Sequence, residues 1–155
     1  MSKDIYEVLL ENYVPEQPLK KRKSIATRER GAIYKADIVP ERETVVFVVD
    51  GEIITDKNRC DRLILSKSIE NEKVWWGHFV ELKGVKIEHA LVQLEATIQH
   101  ERCNHPTIQR KFARIVGRSF PASSANPLIE KARIRFRERY KCELKCLKSQ
   151  QPDKI

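Results

Sequence analysis

No apolar run in this 155-residue chain approaches the length of a membrane span. Its opening residues, Met-Ser-Lys-Asp-Ile-Tyr, lack the apolar stretch of a signal peptide, so a cytoplasmic protein is expected. A Gly-rich phosphate loop, Gly-x-Ser-x-Gly and His-Glu-x-x-His are all missing, which argues against the enzyme classes built on them. The four cysteines, Cys60, Cys103, Cys142 and Cys146, include no Cys-x-x-Cys pair. That spacing argues against a zinc ribbon and for free thiols, with Cys60 and one of the C-terminal pair read as small core residues. Neither an internal repeat nor a low-complexity segment is visible.

What is abundant is positive charge: 30 Lys and Arg stand against 22 Asp and Glu, a formal net charge of +8. The basic residues cluster at 19–30, 111–118 and 131–141, a pattern that favours a polyanionic partner, nucleic acid above all. With 41% hydrophobic and 34% charged residues, the length suits one compact domain. We expect that domain over 1–148 and a frayed tail over 149–155.

Along the chain, residues 4–13 read as a helix capped by Ser2 or Asp4 and ended by Pro15 and Pro18. The run 19–30 has no clear period and reads as a mobile basic loop or arm. Residues 43–49 are β-branched and apolar, a buried strand. Asp50-Gly51 signals a hairpin turn, with 52–55 as a return strand. Ile87, Leu91, Leu94 and Ile98 mark an amphipathic helix over 86–101. A strand over 111–118 follows, then a loop over 121–126. A helix opens at Pro127 after Asn126 and runs to Tyr140, and a last strand covers 142–147. The expectation is an α/β protein.

The stretch from Cys60 to Gly84 carries the chemistry. Asp61 opens one apolar run; Glu81 and Lys83 close the next. Residues two apart on a strand point the same way, so Glu81 and Lys83 share a face with Trp75, Gly77 and Phe79. If the two runs pair antiparallel, Asp61 comes beside Glu81 and Lys83. Two carboxylates and a lysine on rigid strands could hold a divalent metal and a water beside a phosphate. Asp50, Glu52 and Asp56 compete with Asp61 as the upstream acid, although Asp50 and Asp56 have ready roles in turns.

Asp61 followed twenty residues on by Glu81-Leu82-Lys83 resembles the core motif of the PD-(D/E)xK nuclease superfamily. Cys60 stands where that motif often has proline. The resemblance implies a restriction-endonuclease-like fold, a single domain with a mixed central sheet flanked by helices, and a metal-dependent nuclease. It implies Mg2+ or Mn2+ held by Asp61, Glu81 and the Leu82 carbonyl, with Lys83 orienting the attacking water. It also points to Gln93 on the following helix as a site residue, and to Glu11 on the first helix as a supporting acid. The substrate would be nucleic acid, DNA before RNA. The backbone would be held by Lys20, Lys21, Arg22 and Lys23 on the arm, Arg114 and Arg118 on the strand, and Arg135 and Arg139 on the helix. A homodimer is compatible with this reading. Two alternatives keep the fold without the catalysis: a nucleic-acid-binding module, and a protein-interaction subunit whose basic face meets an acidic partner.

Overall fold

The computed structural model describes residues 2–82, 86–117 and 127–155. Lys83, Arg118 and the loop 121–126 of the sequence reading lie outside them.

The first helix, α1, spans Ile5–Asn12 and is closed at its start by a capping box. The Asp4 side chain accepts from Glu7 N at 2.8 Å while Glu7 Oε1 accepts from Asp4 N at 3.1 Å. Two orphan donors are thereby satisfied, and Ile5 and Leu9 turn inward.

The basic run 19–30 is not an arm. All of it but Arg30 lies in β1, Gln17–Glu29, which forms a hairpin with the long β2, Ala32–Val48. The sequence signal for its turn is Arg30-Gly31, with φ of 48° and 83°. Positive φ at both central residues matches the right-handed twist of paired strands. At Asp50-Gly51, by contrast, residues 49–54 close on themselves through Gly51 N to Ile54 O and Ile54 N to Val49 O, without a return strand. That turn leads to β3, Arg62–Lys67, then β4, Trp75–Glu81.

Helix α2, Ile87–Gln99, crosses to β5, Ile108–Gly117, and α3, Pro127–Tyr140, crosses to β6, Cys142–Lys148. The tail, expected to fray, instead adds β7, Pro152–Lys154, parallel to β2. The result is α/β, a mixed seven-stranded sheet in the order β1-β2-β3-β4-β5-β6 with β7 on β2. Pairs β2–β3 and β3–β4 are antiparallel; β4–β5 and β5–β6 are parallel.

All three helices pack on one face, where Leu63, Leu65, Phe79, Ala113 and Ile115 meet Leu9, Leu94, Ile98 and Phe136. Burying each large side chain is worth about 1.5–3 kcal/mol. The other face carries Val46, Ile64, Val80, Leu82 and Val116 and is covered by Ile25, Tyr34, Ala36 and Ile38 from the far half of the hairpin. Among the described residues, helices therefore flank the sheet on one side only. The hairpin can reach across because its register jumps between Arg22↔Arg42 and Ser24↔Asp37, a bulge that bends the ribbon.

Candidate active site

Asp61 sits immediately before β3, at the carboxyl end of β4. Its backbone N donates to Val80 O at 3.1 Å. Its side-chain Oδ2 accepts from Leu82 N at 2.7 Å. Asp61 thus grips the residues on both sides of Glu81. Both carboxylates are buried, at 2% and 1% exposure. Alternation along β4 puts Glu81 on the helix-covered face with Trp75 and Phe79, as the sequence spacing anticipates, while Val80 and Leu82 join the opposite cluster. Across the parallel pair, Glu81 faces Ile115. Lys83 lies outside the described residues.

Helix α2 reaches the same place. Thr97 is fully buried; its Oγ1 accepts from Cys60 N at 2.8 Å and donates to Gln93 O at 2.8 Å. This relay ties the residue before Asp61 to Gln93. Gln93 is half-buried, and its Oε1 is buried with no hydrogen-bond partner among the described residues. Burial pushes the Cys60 thiol well above its ordinary pKa; the Thr97 hydrogen bond opposes this, and the charges of Glu81, Cys103 and Asp61 add to it. Cys60 is therefore a protonated, apolar filler beneath the carboxylates.

Among the described residues no group of three or more His, Cys, Asp or Glu could hold a metal. A hard divalent ion does not require one, since magnesium is commonly held by one or two carboxylates with water completing the shell. The donors at hand are oxygens: the carboxylates of Asp61 and Glu81 and the carbonyl of Leu82, the residue whose N–H Asp61 holds. On the neighbouring helix, the Gln93 amide oxygen is a buried acceptor with no hydrogen-bond partner among the described residues. Oxygen donors of this kind would suit a hard ion such as Mg2+ or Mn2+ better than a soft, thiolate-preferring one.

Other expected residues are placed elsewhere. Glu11 is exposed and ion-paired with Lys3. Asp50 is held by Arg59 at 2.6 Å, and Asp56 is exposed in the turn. Arg114 cannot meet a phosphate: it is 1% exposed, its Nε donates to Asp153 Oδ2 at 2.7 Å, and its Nη2 pairs with Glu143 at 2.9 Å. Arg22 is half-buried, donating to Thr44 O at 2.6 Å and Pro18 O at 2.8 Å. Arg135 is engaged by Glu95 at 3.2 Å. Lys20, Lys21, Lys23 and Arg139 are exposed. The three lysines line the edge strand β1, where charge also deters pairing with another sheet.

Two buried polar groups escaped the sequence reading. Arg62, 4% exposed, donates to Glu16, Thr27 and Glu29 and so locks the hairpin beside Asp61. A charge inside an apolar run was its only signal. On the hairpin-covered face, Ser66 Oγ lies 2.9 Å from His78 Nε2, and His78 stacks on Phe112 at 4.9 Å. Burial holds the His78 pKa well below its ordinary value, with Arg114 and Arg42 adding to the effect. Both members of this pair are fully buried, which suits packing rather than nucleophilic chemistry.

None of the protein-family models, curated proteins or solved structures compared with the chain matches it. No helix among the described residues is long and apolar enough to cross a membrane.

Proposed function

We propose that the chain is a metal-dependent nuclease of PD-(D/E)xK type that hydrolyses phosphodiester bonds, DNA being the favoured substrate. The observation that supports this reading is the grip of Asp61 on Val80 O and Leu82 N, the two residues that flank Glu81 at the end of β4. The strand order supports it further. A β2-β3-β4-β5-β6 sheet with β3 antiparallel to its neighbours, and helices crossing between the parallel strands, agrees with the restriction-endonuclease-like arrangement that the motif implies.

A magnesium ion, when bound, would activate water, offset charge on the phosphoryl oxygens and assist the leaving oxygen. The chain's own part is to hold the oxygens ready. Asp61 is fixed through Oδ2, so its Oδ1 keeps one direction. Glu81 is carried by a strand paired on both sides, which keeps its position rigid. Lys83, two residues on, would orient the attacking water and stabilise negative charge in the transition state.

The test is cleavage of linear, circular, branched and single-stranded substrates with magnesium, manganese or chelator, for wild type, Glu81→Gln and Asp61→Asn. Metal-dependent cleavage lost in both variants, with melting curves retained, supports the reading. Equal activity of Glu81→Gln and wild type sinks the assignment of this site.

A further inference from the structure

A second feature lies at the free edge of the sheet. Strand β6 ends the strand order, and α3 runs back along it, joined to it through Lys141 alone. Lys141 takes a left-handed backbone conformation, φ 52°, and its N donates to Arg137 O at 3.1 Å. This sharp reversal lays the last turns of α3 beside the start of β6. Between them is a groove of about 460 Å3 lined by Arg133, Arg137, Lys141, Cys142, Glu143 and Leu144.

The charges in the groove do not cancel. The one carboxylate lining it among the described residues, Glu143, is already engaged by Arg114 at 2.9 Å and by Lys145 at 3.5 Å. Arg133 is braced by Glu130 at 2.6 Å and reaches Leu144 O at 3.4 Å, which fixes its guanidinium against the strand edge. Arg137 and Lys141 are exposed, and their side chains have no polar partner among the described residues. Two exposed cations and a braced third, in one concave wall, have the sign and clustering that a phosphodiester backbone recruits.

We propose that this groove binds the phosphates of duplex DNA away from the cut, through members of the 131–141 basic cluster other than the Arg135 and Arg139 singled out from sequence. The inference rests on the nuclease reading for its substrate. Its distance from the carboxylates follows from the register. Glu81 faces Ile115, Ile115 faces Cys146, and Cys142 lies four residues earlier on β6. Two strand spacings across and four residues along come to about 16 Å. At ~3.4 Å of axial rise per phosphate on one strand, the groove takes a phosphate about five steps from the scissile bond.

The experiment is a fluorescence-anisotropy titration of the full chain, without metal, against a labelled 20-base-pair DNA duplex at NaCl concentrations from about 50 to 200 mM. Three proteins are compared: wild type, Arg137→Gln/Lys141→Gln, and a control, Lys35→Gln/Lys154→Gln, which removes two exposed lysines on β2 and β7. The groove variant is expected to lower the slope of log K against log salt by about 1.8, or 0.9 for each lost phosphate contact. The control is expected to keep the wild-type slope. No binding by wild type, an unchanged slope in the groove variant, or an equal drop in the control overturns the proposal. Groove-dependent binding by a chain that cleaves nothing with magnesium would keep the groove and remove the nuclease. Cleavage by wild type, with no groove effect on binding, would do the reverse.

Discussion

Replacing Asp153 by alanine should be among the most damaging changes in the chain, although the residue is third from the end. Its Oδ2 accepts from Tyr34 Oη at 2.6 Å and from Arg114 Nε at 2.7 Å, and all three side chains are buried. Burial pulls the Arg114 pKa down, but Asp153, Tyr34 and Glu143 outweigh it and leave that guanidinium above its ordinary value. Removing one partner of a buried pair strands the other charge, at a cost of about 3–5 kcal/mol. Glu143 limits the loss only slightly because it is half-exposed and screened. In a chain of this length, each kcal/mol lowers Tm by about 2–4 °C, so the drop should be about 6–20 °C. Urea unfolding and thermal melts of wild type, Asp153→Ala and Glu143→Ala measure it; the last should lose about 0–1 kcal/mol, as an exposed ion pair does. Arg114→Met combined with Asp153→Leu and Tyr34→Phe should recover most of the stability, since the apolar set fills the site without a stranded charge or a stranded hydroxyl. An Asp153→Ala protein within about 0.5 kcal/mol of wild type would refute the argument and restore a frayed tail.

His78 should make the fold sensitive to mild acid. Its folded pKa is depressed by burial and two arginines, so the unfolded chain takes the proton first. The stabilising contribution is complete above the ordinary value near 6.5 and is lost as pH falls below it, by up to about 1.4 kcal/mol per unit. Urea titrations of His78→Phe and wild type should therefore differ by a constant amount above about pH 7 and converge toward pH 5; parallel curves throughout would remove His78 as the cause. Lys83→Ala should abolish cleavage while leaving magnesium or manganese affinity intact or slightly higher, because an ammonium near two carboxylates repels an incoming cation. Calorimetry and a cleavage assay read the two effects separately. Absence of metal binding in wild type, with a large Tm drop in Lys83→Ala, would favour a structural ion pair instead.

Much of the local structure was legible from residue order. A cap at Ser2 or Asp4, the stripe Leu91, Leu94, Ile98, and Pro127 at the start of α3 each state a preference within one or two helical turns, and short-range sterics and hydrogen bonding decide such features, here in favour of Asp4. The pairing of Asp61 with the strand ending in Glu81 was also readable. A short antiparallel connection with matched apolar runs leaves few alternative registers.

The errors share a different cause. Residues 19–30 show no period because β1 is an edge strand: its first fully buried side chain is Ile25, and the exposed lysines before it carry no alternation. The return strand expected at 52–55 failed because an Asp-Gly turn fits a compact loop as well as a hairpin, and Ile53 and Ile54 found burial in the helix-side core. Arg114 looked like a phosphate ligand because it alternates with apolar residues on a basic strand. Only the hairpin folding across the sheet, and the C-terminal segment pairing with it, turned that position into the interior.

The same long-range closure gave Asp153 its role and set Arg62 among Glu16, Thr27 and Glu29. A charged residue's fate depends on what arrives opposite it from a hundred residues away, and local sequence holds no record of that. What residue order determined by itself is therefore the three helices, the central strands and the Asp61–Glu81 juxtaposition, but not β1, β7 or the loop at 52–55. What tertiary structure alone decided is which cations stay free for a ligand, since burial and a partner carboxylate remove Arg114 and Arg135 and leave Arg137 and Lys141 facing solvent.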